Sequence, residues 1–338
     1  MILVIGSTGT TGRLVLQRLG DAGVPARALV RPSSAAVARR HPALPGVTVV
    51  LGDAGDPESL RAALRGVDRV FLAMGNGPDQ LHHELAVVRE AARSGVAHLV
   101  KVSAPLVGPD VPVAVARTHH RVEEAVRAAA LDHTFLRPYA FLQNLLHSAP
   151  TIRLAGFFSG ITGDTPLNMV DARDVAEVAV VALTAGGGRG PLVLTGPESV
   201  SYPEVARRLT ALGHPTRFVD LDPVEYRRDL RRGGLPPWLV DHLTEIQGLA
   251  LAHPERPNGT VATLTGRSPR TLDAFLAERL PAFAAPLSPR ERLAALPLRV
   301  AGARRGRPRP DPGGAASARP VSATGRGAPV SGPAGHAT

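Results

Sequence analysis

The apolar run Met1-Ile2-Leu3-Val4-Ile5 passes directly into Gly6-Ser7-Thr8-Gly9-Thr10-Thr11-Gly12, and Arg13-Leu14-Val15-Leu16-Gln17-Arg18-Leu19 follows. An apolar run without polar alternation suits a strand buried on both faces, and the leucine spacing after the glycines suits an amphipathic helix. Strand, glycine turn and helix together are the context in which spaced glycines signal a dinucleotide site. Gly6 makes the turn off the strand, Gly9 lets the main chain approach a pyrophosphate, and Gly12 lets the helix pack closely on the sheet. Thr8 and the N–H groups of Thr10, Thr11 and Gly12 stand at the positive helix end, where an anion is favoured.

The alternation continues. Strands are expected at about 2–5, 25–30, 47–51, 68–73, 97–102 and 133–137, with helices at about 11–22, 57–65, 79–94 and 115–130. Asp56-Pro57 reads as an N-cap followed by a proline in the first helical position, and Gly95 as a helix stop. This order predicts an α/β chain with a doubly wound parallel sheet, a Rossmann domain over residues 1–138. Beyond Pro138 the alternation loosens. Helices are expected at about 172–185, opened by Asp171, then at 201–212, 222–232 and 237–252, with a last one opening from Ser268; strands are expected at about 191–195 and 216–220. Residues 139–284 read as a smaller α+β lobe, partly interleaved with the first domain and laid over the carboxyl ends of its strands.

The net charge of +10 is concentrated at one end: from Pro286 onward there are nine arginines against Glu291 and Asp311, in a setting of Pro, Gly, Ala and Ser. Residues 285–338 read as a disordered, solvated basic tail. Such a tail gives nucleic acid only non-specific attraction, so nucleic acid is not an expected partner. The chain has no cysteine, which excludes disulfides and thiolate chemistry; with no His pair at i, i+4 either, no metal site is expected. No apolar run approaches the ~20 residues of a membrane span. The first run is short and has no basic lead, so it does not read as a signal peptide, and a cytoplasmic protein is expected. The partner is a small-molecule substrate or another protein; oligomeric state is not legible.

Arg31 stands at the end of the second strand, where NAD-type sites carry an acid. An arginine followed by Ser33 and Ser34 suits a 2′-phosphate, so NADP(H) is expected over NAD(H); the alternative is a solvated surface arginine. Asp53, ending the third strand, either accepts from the adenine amino group or closes a turn. Ala73 and Met74 after the fourth strand, Lys101 and Ser103 at the end of the fifth, and Tyr139 after the sixth complete the expected cofactor contacts.

These pieces come in order with Gly52-Asp53, Val100-Lys101-Val102-Ser103-Ala104, His119 with Glu123, and Thr134-Phe135-Leu136-Arg137-Pro138. Asn144, Asp171-Ala172-Arg173-Asp174-Val175-Ala176 and Gly266-Arg267-Ser268-Pro269 follow. The set resembles the atypical short-chain dehydrogenases/reductases of the NmrA-like group, near its NAD(P)H:quinone oxidoreductase type, over about residues 1–280. The resemblance implies a Rossmann domain with a small carboxyl-terminal substrate lobe. It implies activities ranging from quinone, carbonyl and enone reductases to redox sensors that bind the cofactor without turnover.

The main short-chain reductases use a tyrosine that donates a proton and a lysine four residues on that lowers its pKa and holds the ribose. Here Tyr139, Tyr202 and Tyr226 are followed four residues on by Gln143, Ala206 and Leu230, and of 39 basic residues only Lys101 is a lysine. The pair is absent. Its place on the helix after the fifth strand holds His119 and Glu123, one turn apart. Either His119 donates a proton to a reduced oxygen, with Glu123 raising its basicity or orienting it, or the two form a structural pair. His120 is expected on the exposed face. Lys101 either reaches the nicotinamide ribose or a carbonyl, or is solvated. Tyr139, Phe141, Phe157 and Phe158 are available for a substrate wall, or are core. Asn144 either bonds a carbonyl oxygen or caps a turn. Hydride transfer itself needs only positioning and a dry site. Two readings result: an NADPH-dependent reductase of a quinone or small carbonyl or enone, or a non-catalytic NADP(H) sensor.

Overall fold

The computed structural model describes residues 1–34 and 44–285. The large sheet is built from β1 (Ile2–Ile5), β2 (Ala26–Val30), β3 (Val47–Leu51), β4 (Arg69–Leu72), β5 (His98–Val102) and β6 (Asp132–Pro138). Between them run α1 (Thr10–Asp21), α2 (Pro57–Leu64), α3 (Gln80–Arg93) and α4 (Ala114–Ala128). After Pro138 come β7 (Ala140–Phe141), a 3-10 segment (Leu142–Ser148), α5 (Ala149–Ala155), β8 (Phe157–Gly160), β9 (Leu167–Val170), α6 (Ala172–Ala185) and β10 (Gly190–Leu194). The remainder is β11 (Ser199–Val200), α7 (Tyr202–Ala211), β12 (Arg217–Asp220), α8 (Pro223–Arg232), α9 (Pro237–Ala252), α10 (Thr260–Thr265) and α11 (Leu272–Ala284).

Seven parallel strands lie in the order β10-β6-β5-β4-β1-β2-β3. This is the doubly wound Rossmann arrangement that the strand–helix alternation predicts, with a seventh strand beside β6. The inner strands are mostly apolar because both faces are covered, whereas the edge strand β3 is largely exposed. In β1, Ile2 and Val4 enter one core with α1 and α6, while Leu3 and Ile5 enter the other with α2, α3 and α4. Asp56 caps α2 by accepting from Glu58 and Ser59 N–H, and Asp171 caps α6 by accepting from Arg173 N–H. Thus α6 and β10, both beyond Pro138, pack with the large sheet. The small strands β7, β9 and β11 form a second sheet, and β8 pairs with β12. The short elements between Pro138 and Asp171 carry no periodicity and were not expected; α5, for instance, ends at Gly156, whose φ of +71° closes it in the left-handed region. The tail expected over 285–338 lies outside the described residues from 286 onward. Among the described residues, no helix is long and apolar enough to cross a membrane.

β1 and β4 are neighbours, and the chain leaves them in opposite directions along the sheet. That is the switch point at which open parallel sheets bind ligands, beyond the carboxyl ends of the strands.

Candidate functional site

At this switch point the first glycine turn is forced by its surroundings. Gly6 has φ +82°, and a Cβ there would overlap the Ala73 carbonyl oxygen, while a Cβ on Gly12 would overlap the Gly6 carbonyl oxygen. The turn is pinned to β2 by Ser7 Oγ, which donates to Leu29 O at 2.6 Å. Gly9 caps α1 with no side-chain hydrogen bond, and no acid occupies the first turn. The N–H groups of that turn therefore remain free to meet a phosphate.

The turn opens on a cavity of about 390 Å³. Among its walls are Gly6, Thr8, Gly9, Arg31, Asp53, Ala73 and Met74, all anticipated from the sequence. Arg31 is exposed on the rim. Asp53 closes a turn, its Oδ1 accepting from Gly55 N–H at 2.8 Å, and it also lines the cavity. The loop Gly75–Gln80 and His83 also line the cavity and were missed; no pattern distinguishes such a loop from an ordinary connection. The setting fits a dinucleotide: an uncapped helix start, a basic rim and an acid at the end of β3.

Lys101, Ser103 and Tyr139 do not line this cavity. Lys101 has no exposed surface. Its Nζ lies 2.8 Å from Glu84 Oε2, 2.9 Å from Val102 O and 3.0 Å from His119 Nδ1. This corrects the expectation of a lysine at the lip that reaches a ribose or a carbonyl: it is hydrogen-bonded to Val102 O and His119 Nδ1 and ion-paired with Glu84 inside the protein. Ser103 Oγ donates to Glu123 Oε1 at 2.7 Å. Glu123 also accepts from Arg137 Nε at 3.0 Å and from Arg127 at 2.9 Å. Burial pushes its carboxyl up, but the hydrogen bonds from Arg137 and Ser103 and the arginine charges outweigh this and hold it below its ordinary value. Glu123 is therefore the anchor of an arginine pair and not the partner of His119. The partner is Lys101, whose effect on basicity is opposite. Burial first, then the Lys101 charge, then His242 push His119 well below the ordinary histidine value. His120 is half-buried, not exposed.

His242, on α9, reaches this region from the lobe. Its Nε2 stands 3.3 Å from the Asn76 side-chain nitrogen in the cavity loop, and burial lowers its pKa. A lone histidine on a helix offers no sequence signal for this. Glu84 was missed likewise, because a lysine near a strand end gives no sign of the helix that brings its counter-charge.

The stretch after β6 is held from behind. Tyr139 is half-buried, and its N–H donates to Leu194 O at 3.1 Å. Burial, then the nearby Glu255 carboxylate, raises its pKa. Glu255, in the loop after α9, is itself pushed up to about 7 by burial. Asn144 is exposed on the 3-10 segment, and Phe141 is half-buried against the main core. Phe157 and Phe158 are buried in the lobe's own apolar clusters. Phe158 meets Tyr202 edge-on at 5.6 Å between ring centres, and Arg217 lies over Phe157. Their side chains build the lobe core, which corrects their assignment to a substrate wall.

A family model described as NAD(P)H-binding matches residues 6–185. An NAD(P)H azoreductase of Xenophilus azovorans is 38% identical over 290 residues, covering 84% of this chain and 100% of that protein. A (4-alkanoyl-5-oxo-2,5-dihydrofuran-3-yl)methyl phosphate reductase of Streptomyces griseus is 40% identical over 287 residues, covering 84% and 99%. The solved NADPH-dependent quinone oxidoreductase of Escherichia coli, in complex with NADPH, superposes with a TM-score of 0.73 at 25% identity, over 83% of this chain and 100% of that one. The NmrA-like resemblance holds at the level of the fold.

Proposed function

Because this chain belongs to the NAD(P)H-binding family and is an NAD(P)H-dependent oxidoreductase, we propose that it uses NADPH to reduce a small conjugated acceptor: a quinone, an enone or carbonyl, or an azo compound. The observation that carries the reading is the uncapped start of α1, opening beside Gly6 and Gly9 on a cavity with Arg31 at its rim. The N–H groups of Thr10, Thr11 and Gly12 receive the pyrophosphate. Arg31, with Ser33 and Ser34, takes the 2′-phosphate, which is the basis for preferring NADPH. Asp53 accepts from the adenine amino group. When bound, the dinucleotide supplies the hydride. On the acceptor side, His119 is the candidate donor of a ring N–H to the acceptor's oxygen or nitrogen; it is buried and outside the cavity lining, and His242, whose charge acts on it, meets Asn76 in the cavity loop. The acceptor class draws support from relatives named for azo compounds, an unsaturated lactone and quinones; all three present an electrophilic centre conjugated to a heteroatom.

The test is cofactor consumption with quinones, enones, azo dyes and aldehydes, using NADPH and NADH in parallel. Faster NADPH loss with at least one conjugated acceptor is expected. Consumption at background for the whole panel overturns the proposal.

A further inference from the structure

An ammonium group donates three hydrogen bonds and accepts none. At Lys101 the acceptors are Val102 O at 2.9 Å and His119 Nδ1 at 3.0 Å, and Glu84 Oε2 stands at ion-pair distance, 2.8 Å. Nδ1 of His119 must therefore be the bare nitrogen, and the ring proton sits on Nε2. We propose that Lys101 is a positioning residue that locks His119 as the neutral, Nε2-protonated imidazole, so that His119 serves the reduction as a fixed hydrogen-bond donor and not as a proton-donating acid. This rests on the proposed reading in which His119 faces the acceptor.

The surroundings of the ring agree. Lys101 faces it from β5 and His242 from α9, and both disfavour a second proton on it. On its own helix, Glu123 is turned away to Ser103, Arg137 and Arg127. Glu84 on α3 stands behind Lys101 and neutralises it, and Gln80 on the cavity wall donates to Glu84 Oε1 at 3.4 Å. Among the described residues, no carboxylate pairs with the imidazole. A neutral imidazole N–H can polarise a carbonyl without giving up its proton. The balance is then simple. A bound NADPH would supply the hydride to one end of the conjugated acceptor, and the displaced electron pair would move to the far oxygen or nitrogen. The Nε2–H would stabilise that charge, and the single proton that balances the hydride would come from water.

The test is ring nitrogen NMR of His119 in the full-length, 15N-labelled protein with NADP+ bound, with the signal assigned by its loss in His119→Gln. The expected result is a bare Nδ1, a protonated Nε2 and no titration between about pH 5.5 and about pH 8.5. The kcat profile over that range should be flat, whereas an imidazolium acid of ordinary pKa would lose about tenfold per pH unit above about 6.5. Lys101→Met alone leaves Glu84 unpaired and can fail to fold, so Glu84→Gln is combined with it. In the double variant the tautomer is released, His119 takes up its proton at higher pH than in the wild type, and kcat becomes pH-dependent. A wild-type ring protonated at Nδ1 or titrating near 6.5 overturns the proposal, as does a double variant indistinguishable from the wild type in both readouts. A locked ring with wild-type turnover in His119→Gln overturns the role given to the ring. A locked ring with no acceptor reduced by any form upholds the lock and overturns the proposed function instead.

Discussion

Asp171 grips Gln143: Gln143 Nε2 donates to Asp171 Oδ1 at 2.9 Å, and Gln143 Oε1 accepts from Ala172 N–H at 2.9 Å. The residue four places after Tyr139 is thus fastened to the start of α6, and the 3-10 segment bearing Asn144 is held against the large sheet. Asp171 also caps α6 and pairs with Arg173 at 2.7 Å. Burial raises its carboxyl, and the bonds from Arg173 and Gln143 outweigh that and hold it below its ordinary value. The stability it contributes is therefore present above the unfolded carboxylate pKa and lost as pH falls through the folded one. Asp171→Ala should cost about 3–5 kcal/mol at neutral pH, because Arg173 and the helix start lose a fully buried partner. Urea unfolding at neutral pH measures this; a loss below about 1 kcal/mol would contradict the grip.

Cofactor choice should turn on Arg31. Under the proposed reading, Arg31→Asp replaces the cation assigned to the 2′-phosphate by an anion that suits a 2′-hydroxyl, and the ratio of kcat/KM for NADPH over NADH should drop by roughly tenfold or more. An unchanged ratio would show that Arg31 is only a surface residue.

The two inner glycines should separate by phenotype. In Gly12→Ala the new methyl overlaps the Gly6 carbonyl, so α1 must move off the sheet, and both Tm and NADPH binding should fall. In Gly9→Ala the methyl approaches only Gly6 O, at 3.3 Å, so the fold should tolerate it while NADPH binding weakens. Calorimetric melting and cofactor titration on both variants provide the check; equal effects on both would refute the division of roles.

Glu255 offers a pH test of a different sign. Its folded value of about 7 lies above its ordinary 4.5, so the folded state holds the proton longer than the unfolded chain does. Stability is lost as pH rises from the lower value to the upper one, and the loss is complete above it. Glu255→Gln keeps an acceptor for the Asn168 N–H, which donates to Glu255 Oε2 at 2.7 Å. The variant should be more stable than the wild type by on the order of 2 kcal/mol at pH 8, with the gap closing near pH 4.5. Melting curves at the two pH values decide it.

The sheet and the phosphate turn were legible because their causes are local. β1 needs four apolar residues, Gly6 and Gly12 answer to steric contacts of the main chain, and Asp56 and Asp171 cap the helices that follow them in sequence. The pairing around Lys101 was not legible. A charged residue at the end of a strand reads as solvated until tertiary structure places Glu84 against it from another helix. His119 and Glu123 share a helix face but not a hydrogen bond, since Arg137 and Ser103 compete for the carboxylate. Phe157 and Phe158 could not be divided between wall and core by composition, because only the arrival of Tyr202, Phe218 and Arg217 fills their surroundings.

Lys101 is the chain's single lysine, and its side chain has no contact with solvent. Lysine-specific proteolysis therefore has one address, near the carboxyl end of β5, and none on the native surface. Cleavage there requires the carboxyl end of β5 to leave β4 and β6, so the rate of cutting counts openings of the sheet at that end. The molecule carries a built-in gauge of the opening of its sheet beside the ligand-binding end, which needs neither a label nor a mutation to be read.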